Sequence, residues 1–168
     1  MNNSEYDESF EDEKIIRGEI LSMSLGKLPQ RPVVALPTTA SIAEVIGLMN
    51  DTRVGAAVIT HNGKLVGIFT ERDVLTRVVG KSMDITTTPV ESVMTRNPDT
   101  LSPEAGVAYA LRKMSEEGYR HVPMVDALGN PVGIIAVRDI VRWLVDLFPE
   151  AMNLPPNPSL ESRSVDGG

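Results

Sequence analysis

The sequence predicts an α/β (α+β) fold made of two tandem β-α-β-β-α half-modules related by a pseudo-twofold axis. Three observations predict it. GIFTERDVL at residues 67–75 returns sixty-six residues later as GIIAVRDIV at 133–141, with Gly, Ile, Arg and Asp in the same places. An amphipathic helical pattern precedes each copy at nearly the same distance. Between that helix and the repeated junction lie two β-rich runs, closed each time by a glycine-bearing turn.

The elements follow in order. Residues 1–14 form an acidic leader with Glu5, Asp7, Glu8, Glu11, Asp12 and Glu13, the composition of a solvated tail. IIRGEILSMSL (15–25) has helical spacing, and GKLPQRP ends it. With this helix, the first half-module spans 15–80. VVAL (33–36) is its first extended piece. Ile42, Val45, Ile46 and Met49 then fall at i, i+3, i+4 and i+7, one apolar helical face. VGAAVITHNGKLVGIFT reads as a hairpin whose THNG turn puts glycine where positive φ is needed. ERDVLTRVV closes the half as a helix. Residues 81–95, with Pro89, are a linker. The second half-module, 96–147, repeats the plan: DTL, then Val107, Ala110, Leu111 and Met114, then RHVPMVDALGNPVGIIA, then VRDIVRWLV. The first helices are 65 residues apart and the junctions 66, so one residue is gained between first helix and first strand. Two copies at this period argue against a solenoid and for a pair in which neither half buries its apolar face alone. Pro149, Pro155, Pro156 and Pro158 exclude a long helix from the tail 148–168.

Composition narrows the function. Apolar residues make up 42% of the chain but aromatics only 4%, so the core is aliphatic. Without cysteine there is no disulfide, thiol nucleophile or zinc-thiolate site. No apolar run approaches the roughly 20 residues of a membrane helix, and the acidic start lacks signal-peptide order. A soluble, cytoplasmic protein is expected. From Lys14 onward 16 bases face 17 acids, so the positive field that nucleic acid requires is missing. His61 and His121 are the only histidines, and metal-ligand spacing is absent. Neither a Walker-type phosphate loop nor a G-x-G-x-x-G fingerprint appears. No enzyme is expected.

The duplicated β-α-β-β-α order, the first helix ending in Met, and the junction GIFTERD together resemble the CBS domain, which occurs in pairs (Bateman modules). The resemblance covers residues 18–147. It implies a regulatory sensor of an adenosine-containing ligand: AMP, ADP, ATP, S-adenosylmethionine or sometimes NAD. It also implies a homodimer, a flat disc of four such domains.

Two explanations meet at Thr70-Glu71-Arg72-Asp73. Thr70 as N-cap and Asp73 three residues later make a capping box, stabilising the helix start by about 1 kcal/mol. Alternatively, Asp73 accepts hydrogen bonds from both hydroxyls of a ribose, with Thr70 beside it, since a carboxylate offers two acceptor oxygens and no donor. The helix N-terminus adds N–H groups and positive potential for phosphates. In the second copy Ala136 replaces the family's usual Ser or Thr and cannot cap, yet Asp139 remains. The resemblance places basic residues for the phosphates at Arg72 and Arg138, before the two aspartates, and at Arg53, Arg120 and His121, by the first hairpin strands. It places adenine against Pro32-Val33-Val34 or Pro98-Asp99-Thr100 and against Ile68 or Ile134. Val34 suits stacking better than Asp99, which favours the first site. Two readings stand: a nucleotide sensor, or a constitutive dimeric scaffold whose leader or tail meets a partner protein.

Overall fold

The structure, a computed structural model, describes residue 18 and residues 22–147. The acidic leader, most of the helix expected at 15–25 and the Pro-rich tail lie outside the described residues. Gly18 and Ser22 are helical.

The first half contains β1 (Ala35–Pro37), α1 (Ile42–Thr52), β2 (Ala56–His61), β3 (Lys64–Thr70) and α2 (Glu71–Asp73), which widens into a π-helical turn over Val74–Val78. Next come β4 (Thr95–Arg96), α3 (Val107–Glu117), β5 (His121–Val125), β6 (Pro131–Ala136) and α4 (Val137–Leu147). One sheet has the order β1-β2-β3-β4, parallel between β1 and β2 and antiparallel elsewhere. The other pairs β5 with β6, and Leu101 bridges to Met124 where β1 pairs with β2 in the first half.

Local chemistry accounts for most elements. Ser41 caps α1 and forms a reciprocal box with Glu44. Ile42, Val45 and Met49 are buried on one face of α1, as are Val107, Ala110 and Met114 on α3. The β2–β3 hairpin turns on Asn62 and Gly63, both at positive φ. Bulges fall at Ile59/Thr60 and Met124/Val125, so even the irregularity is duplicated. The repeated glycines of the two junctions have a packing reason. A Cβ on Gly67 would collide with Met94 Sδ, and one on Gly133 with Met124 Cε.

Each half is completed by the chain that leads into the other. Residues 22–28 pack on the second half: Leu25 N donates to Ala105 O and Val107 N to Met23 O. Leu25 and Leu28 belong to the core of Leu101, Val107, Met114, Val122, Ile135 and Ile140. Conversely, Val90, Val93 and Met94 fill the first core with Ile42, Val45, Ile59 and Phe69, while Val90 N donates to Ala40 O. The sequence reading kept residues 15–28 with the first half-module; the described part, 22–28, packs on the second. Thr95 and Arg96 likewise pair with Ile68 and Gly67 in the first sheet. This exchange gives each small half the apolar cover that it cannot make alone.

Candidate functional site

The β3–α2 junction builds the site. Thr70 ends β3 in extended backbone and caps α2, and Asp73 closes the capping box. Asp73 Oδ2 accepts from Thr70 N at 2.9 Å and from Thr70 Oγ1 at 2.8 Å. Its Oδ1 faces Arg77 Nη1 at 3.2 Å and accepts from Thr95 Oγ1 at 3.5 Å. At 6% exposure Asp73 is the one buried charged residue among the described residues. So both explanations weighed for this aspartate meet at one carboxylate: the capping box is real, and a hollow opens onto it.

That hollow, about 790 Å³, is lined from the first half by Ile68, Thr70, Arg72, Asp73 and Arg77. Thr95, Asn97, Pro98 and Asp99 close one wall, and Tyr119, Arg120 and His121 of the second half close another. Arg72 Nη1 reaches across to donate to Gly118 O at 3.2 Å. Asp99 is turned to the rim, accepting from Lys113 Nζ at 2.8 Å and from Tyr119 OH at 2.9 Å. The Lys113 and Tyr119 hydrogen bonds hold its carboxyl below the ordinary range.

A second, much smaller hollow of about 30 Å³ lies at the β6–α4 junction. Pro32, Val34, Ile134, Ala136, Arg138 and Asp139 line it, with Arg31 paired to Asp139 at 3.3 Å. His121 borders both hollows. It is the counterpart of Ala56, each being the first residue of its hairpin strand, and it packs on Gly55: a Cβ there would stand 3.2 Å from the imidazole Cε1 and from the Glu71 carboxylate.

The geometry revises four of the expected placements. Val34 was matched with Asp73, but it lines the Asp139 hollow and packs in the first core, while Pro98 and Asp99 join Asp73. The cause is the antiparallel β3–β4 pairing, which draws residues 95–99 up to the junction. Val33 lines neither hollow. Arg53 lines neither as well: it is the left-handed C-cap of α1, at φ 54°, where α3 has Gly118. Arg53 thus matches Gly118, and Arg120 matches Gly55. The 65-residue offset runs through β2 and β5, so the residue gained in the second half falls in the hairpin turn and not between first helix and first strand. Arg138 borders only the small hollow, so the bases divide between two sites instead of forming one basic cleft. Arg77, Thr95 and Asn97 escaped the sequence reading. Arg77 could have been found from its i+4 spacing to Asp73; Thr95 and Asn97 needed the strand pairing.

Burial, then the nearby Arg138, push the His121 imidazole below its ordinary range; Glu71 and Asp139 oppose the shift, and Arg120 adds to it. The folded chain therefore resists a proton that the unfolded chain accepts below about pH 6.5. Stability is expected to fall as pH drops from that value toward the depressed folded one, and to recover above it. Urea unfolding at about pH 7.5 and 5.5 checks this, with His121→Gln losing part of the dependence. An unchanged dependence in the variant contradicts it.

The family profile described as CBS domain matches residues 25–80 and again 90–146. The chain belongs to the CBS domain family. It carries two CBS domains in tandem, and their pairing is the fold described above. Over 114 residues it is 37% identical to the CBS domain-containing protein CBSCBSPB1 of Arabidopsis thaliana, matching 67% of this chain but only 20% of that protein. An uncharacterized 17.7 kDa protein of Acidianus ambivalens is 29% identical over 128 residues, 76% of each chain. Among solved structures, a CBS domain protein from Pyrobaculum aerophilum complexed with AMP is 32% identical, with TM-score 0.65 over 74% of this chain and 99% of that one. The CBS domain pair of protein MJ0100, in complex with 5'-methylthioadenosine and S-adenosyl-L-methionine, is 26% identical, with TM-score 0.66 over 74% and 98%. Among the described residues, no helix of the CBS pair is long and apolar enough to cross a membrane.

Proposed function

We propose that this CBS pair is a non-catalytic regulatory module that binds an adenosine-containing ligand (AMP, ADP, ATP or S-adenosylmethionine) in the Asp73 hollow. One observation carries the reading: a buried carboxylate at a helix start borders a hollow of about 790 Å³, a size that suits a small-molecule ligand. Asp73 takes the ribose hydroxyls, exchanging its bond from Thr95 and its pairing with Arg77 for theirs. Ile68 and Pro98 offer apolar contact for the base. Arg72, Arg120 and His121 meet the charged end. The adenosine ligands of the Pyrobaculum protein and the MJ0100 pair support the same reading.

Because the walls come from both halves, a ligand binds one relative placement of the halves better than another, and a partner protein reads the difference. Leu75, in the π-helical turn after α2, and Val141 of α4 stand at equivalent positions, 69% and 49% exposed. These faces suit a second copy, as a homodimer requires.

A thermal-shift panel of AMP, ADP, ATP, S-adenosylmethionine and NAD tests the proposal. A ligand at 100 times its dissociation constant stabilises the folded state by about 2.7 kcal/mol, a rise of roughly 5 °C or more. No shift with any of them at millimolar concentration supports the second reading, a dimeric scaffold. The observation favouring that reading is that protein donors already satisfy Asp73.

A further inference from the structure

We infer that each chain holds one ligand rather than two, and that Arg31 sets this count by closing the second hollow. The inference rests on the ligand-binding reading above. Duplication supplied two junctions, each with its aspartate, and two hollows at equivalent places. Their volumes, about 790 and about 30 Å³, are far apart. Only the larger falls in the range of roughly 300–1,000 Å³ typical of small-molecule sites.

A single pair of equivalent positions accounts for the difference. The sixty-five-residue offset that holds through β1 and the first helices aligns Arg31 with Arg96. At the large hollow, Arg96 turns away from the opening, its Nη2 donating to Glu91 O at 3.1 Å, and does not line the walls. At the small hollow the equivalent guanidinium, that of Arg31, turns inward and lines the wall. Arg31 Nε lies 3.3 Å from Asp139 Oδ1, with the two side chains 37% and 16% exposed. The carboxylate that a ribose would need is thereby engaged by a charged donor of this chain.

Asp73 is balanced differently. Its partner, Arg77, lies at i+4 in the π-helical turn and is anchored by donating to Val93 O at 2.8 Å, so it forms part of the wall of a hollow that stays wide. The equivalent of Arg77 in the second half is Trp143, which is partly buried and packs against the second core. Among the described residues Asp139 therefore has no helix-borne ion-pair partner, and Arg31 arrives from the irregular segment ahead of β1. Ala136, where the first half has Thr70, removes a hydroxyl as well.

Calorimetric titration of the full chain with AMP, and in parallel with S-adenosylmethionine, decides the matter. The wild type is expected to take one ligand per chain and Arg31→Asn two. Arg31→Asn combined with Asp73→Asn keeps one, now at the Asp139 junction, whereas Asp73→Asn alone keeps none. Two sites in the wild type, or one in an Arg31→Asn protein that melts like the wild type, overturn the inference while leaving the ligand-binding reading intact. Arg31→Ala serves as the second variant should Arg31→Asn fold poorly. Absence of binding by either ligand to the wild type overturns the parent reading and this one together.

Discussion

Replacing Asp73 by alanine is expected to lower affinity for the adenosine ligand at least 100-fold. Two hydroxyls donating to one carboxylate are charge-assisted bonds, each contributing about 1.5–3 kcal/mol, so loss of both exceeds the roughly 2.7 kcal/mol of a 100-fold change. The same substitution weakens the fold, because Thr70 N and Oγ1 lose their acceptor and Arg77 its partner. That structural cost is about 1–2 kcal/mol, the range of a lost helix cap. Asp73→Asn separates the two effects. An amide oxygen still accepts from Thr70 and holds the helix start, but it has no charge and only one acceptor atom for a ribose. Titration should show weak binding by both variants, and urea unfolding should show the asparagine protein nearer the wild type. Undiminished affinity in Asp73→Ala would remove Asp73 from the site.

Phe69→Ala should produce the largest loss of stability, about 3–5 kcal/mol. Phe69 is fully buried in β3, between the Ala57 and Ile59 strand and the Val90, Val93 and Met94 cover. The chain has only three phenylalanines, and the core around this one is aliphatic, so no neighbouring ring can rotate into the space. Because domains of this size are stable by only about 5–15 kcal/mol, the variant forfeits a large share of its margin. Denaturant unfolding measures it, and a loss below about 1 kcal/mol would show that the exchanged cover collapses onto the cavity.

What the sequence disclosed was mostly local. Ile42, Val45 and Met49, or Val107, Ala110 and Met114, declare their helical faces through spacing alone. Asn62-Gly63 declares its turn through positive φ, and Thr70 with Asp73 their box through three residues of separation. Those features lie within one element, where periodicity and capping chemistry act. The exchange of Val34 for Asp99 at the Asp73 hollow depends on β4 pairing with β3, a two-residue strand with no pattern of its own. The packing of residues 22–28 on the second half is also long-range: its apolar spacing showed that the segment is buried without showing against what. Arg53 resembles Arg120 in sequence because each is a base just before a hairpin strand. They are 67 residues apart where the repeat runs at 65, so only the helix cap and strand register separate them. The π-helical turn at Val74–Val78 was not foreseen either. There Thr76 Oγ1 bonds Arg72 O at 2.7 Å and Arg77 reaches Val93, drawing a helical sequence out of regular form.

A crystal structure of the full chain grown with AMP or S-adenosylmethionine, whichever raises the melting temperature more, tests the central claim most directly. The account predicts one ligand per chain, both ribose hydroxyls on the Asp73 carboxylate and the charged end toward Arg72 and Arg120. A ligand bound elsewhere, with Asp73 still held only by Thr70, Thr95 and Arg77, would contradict it.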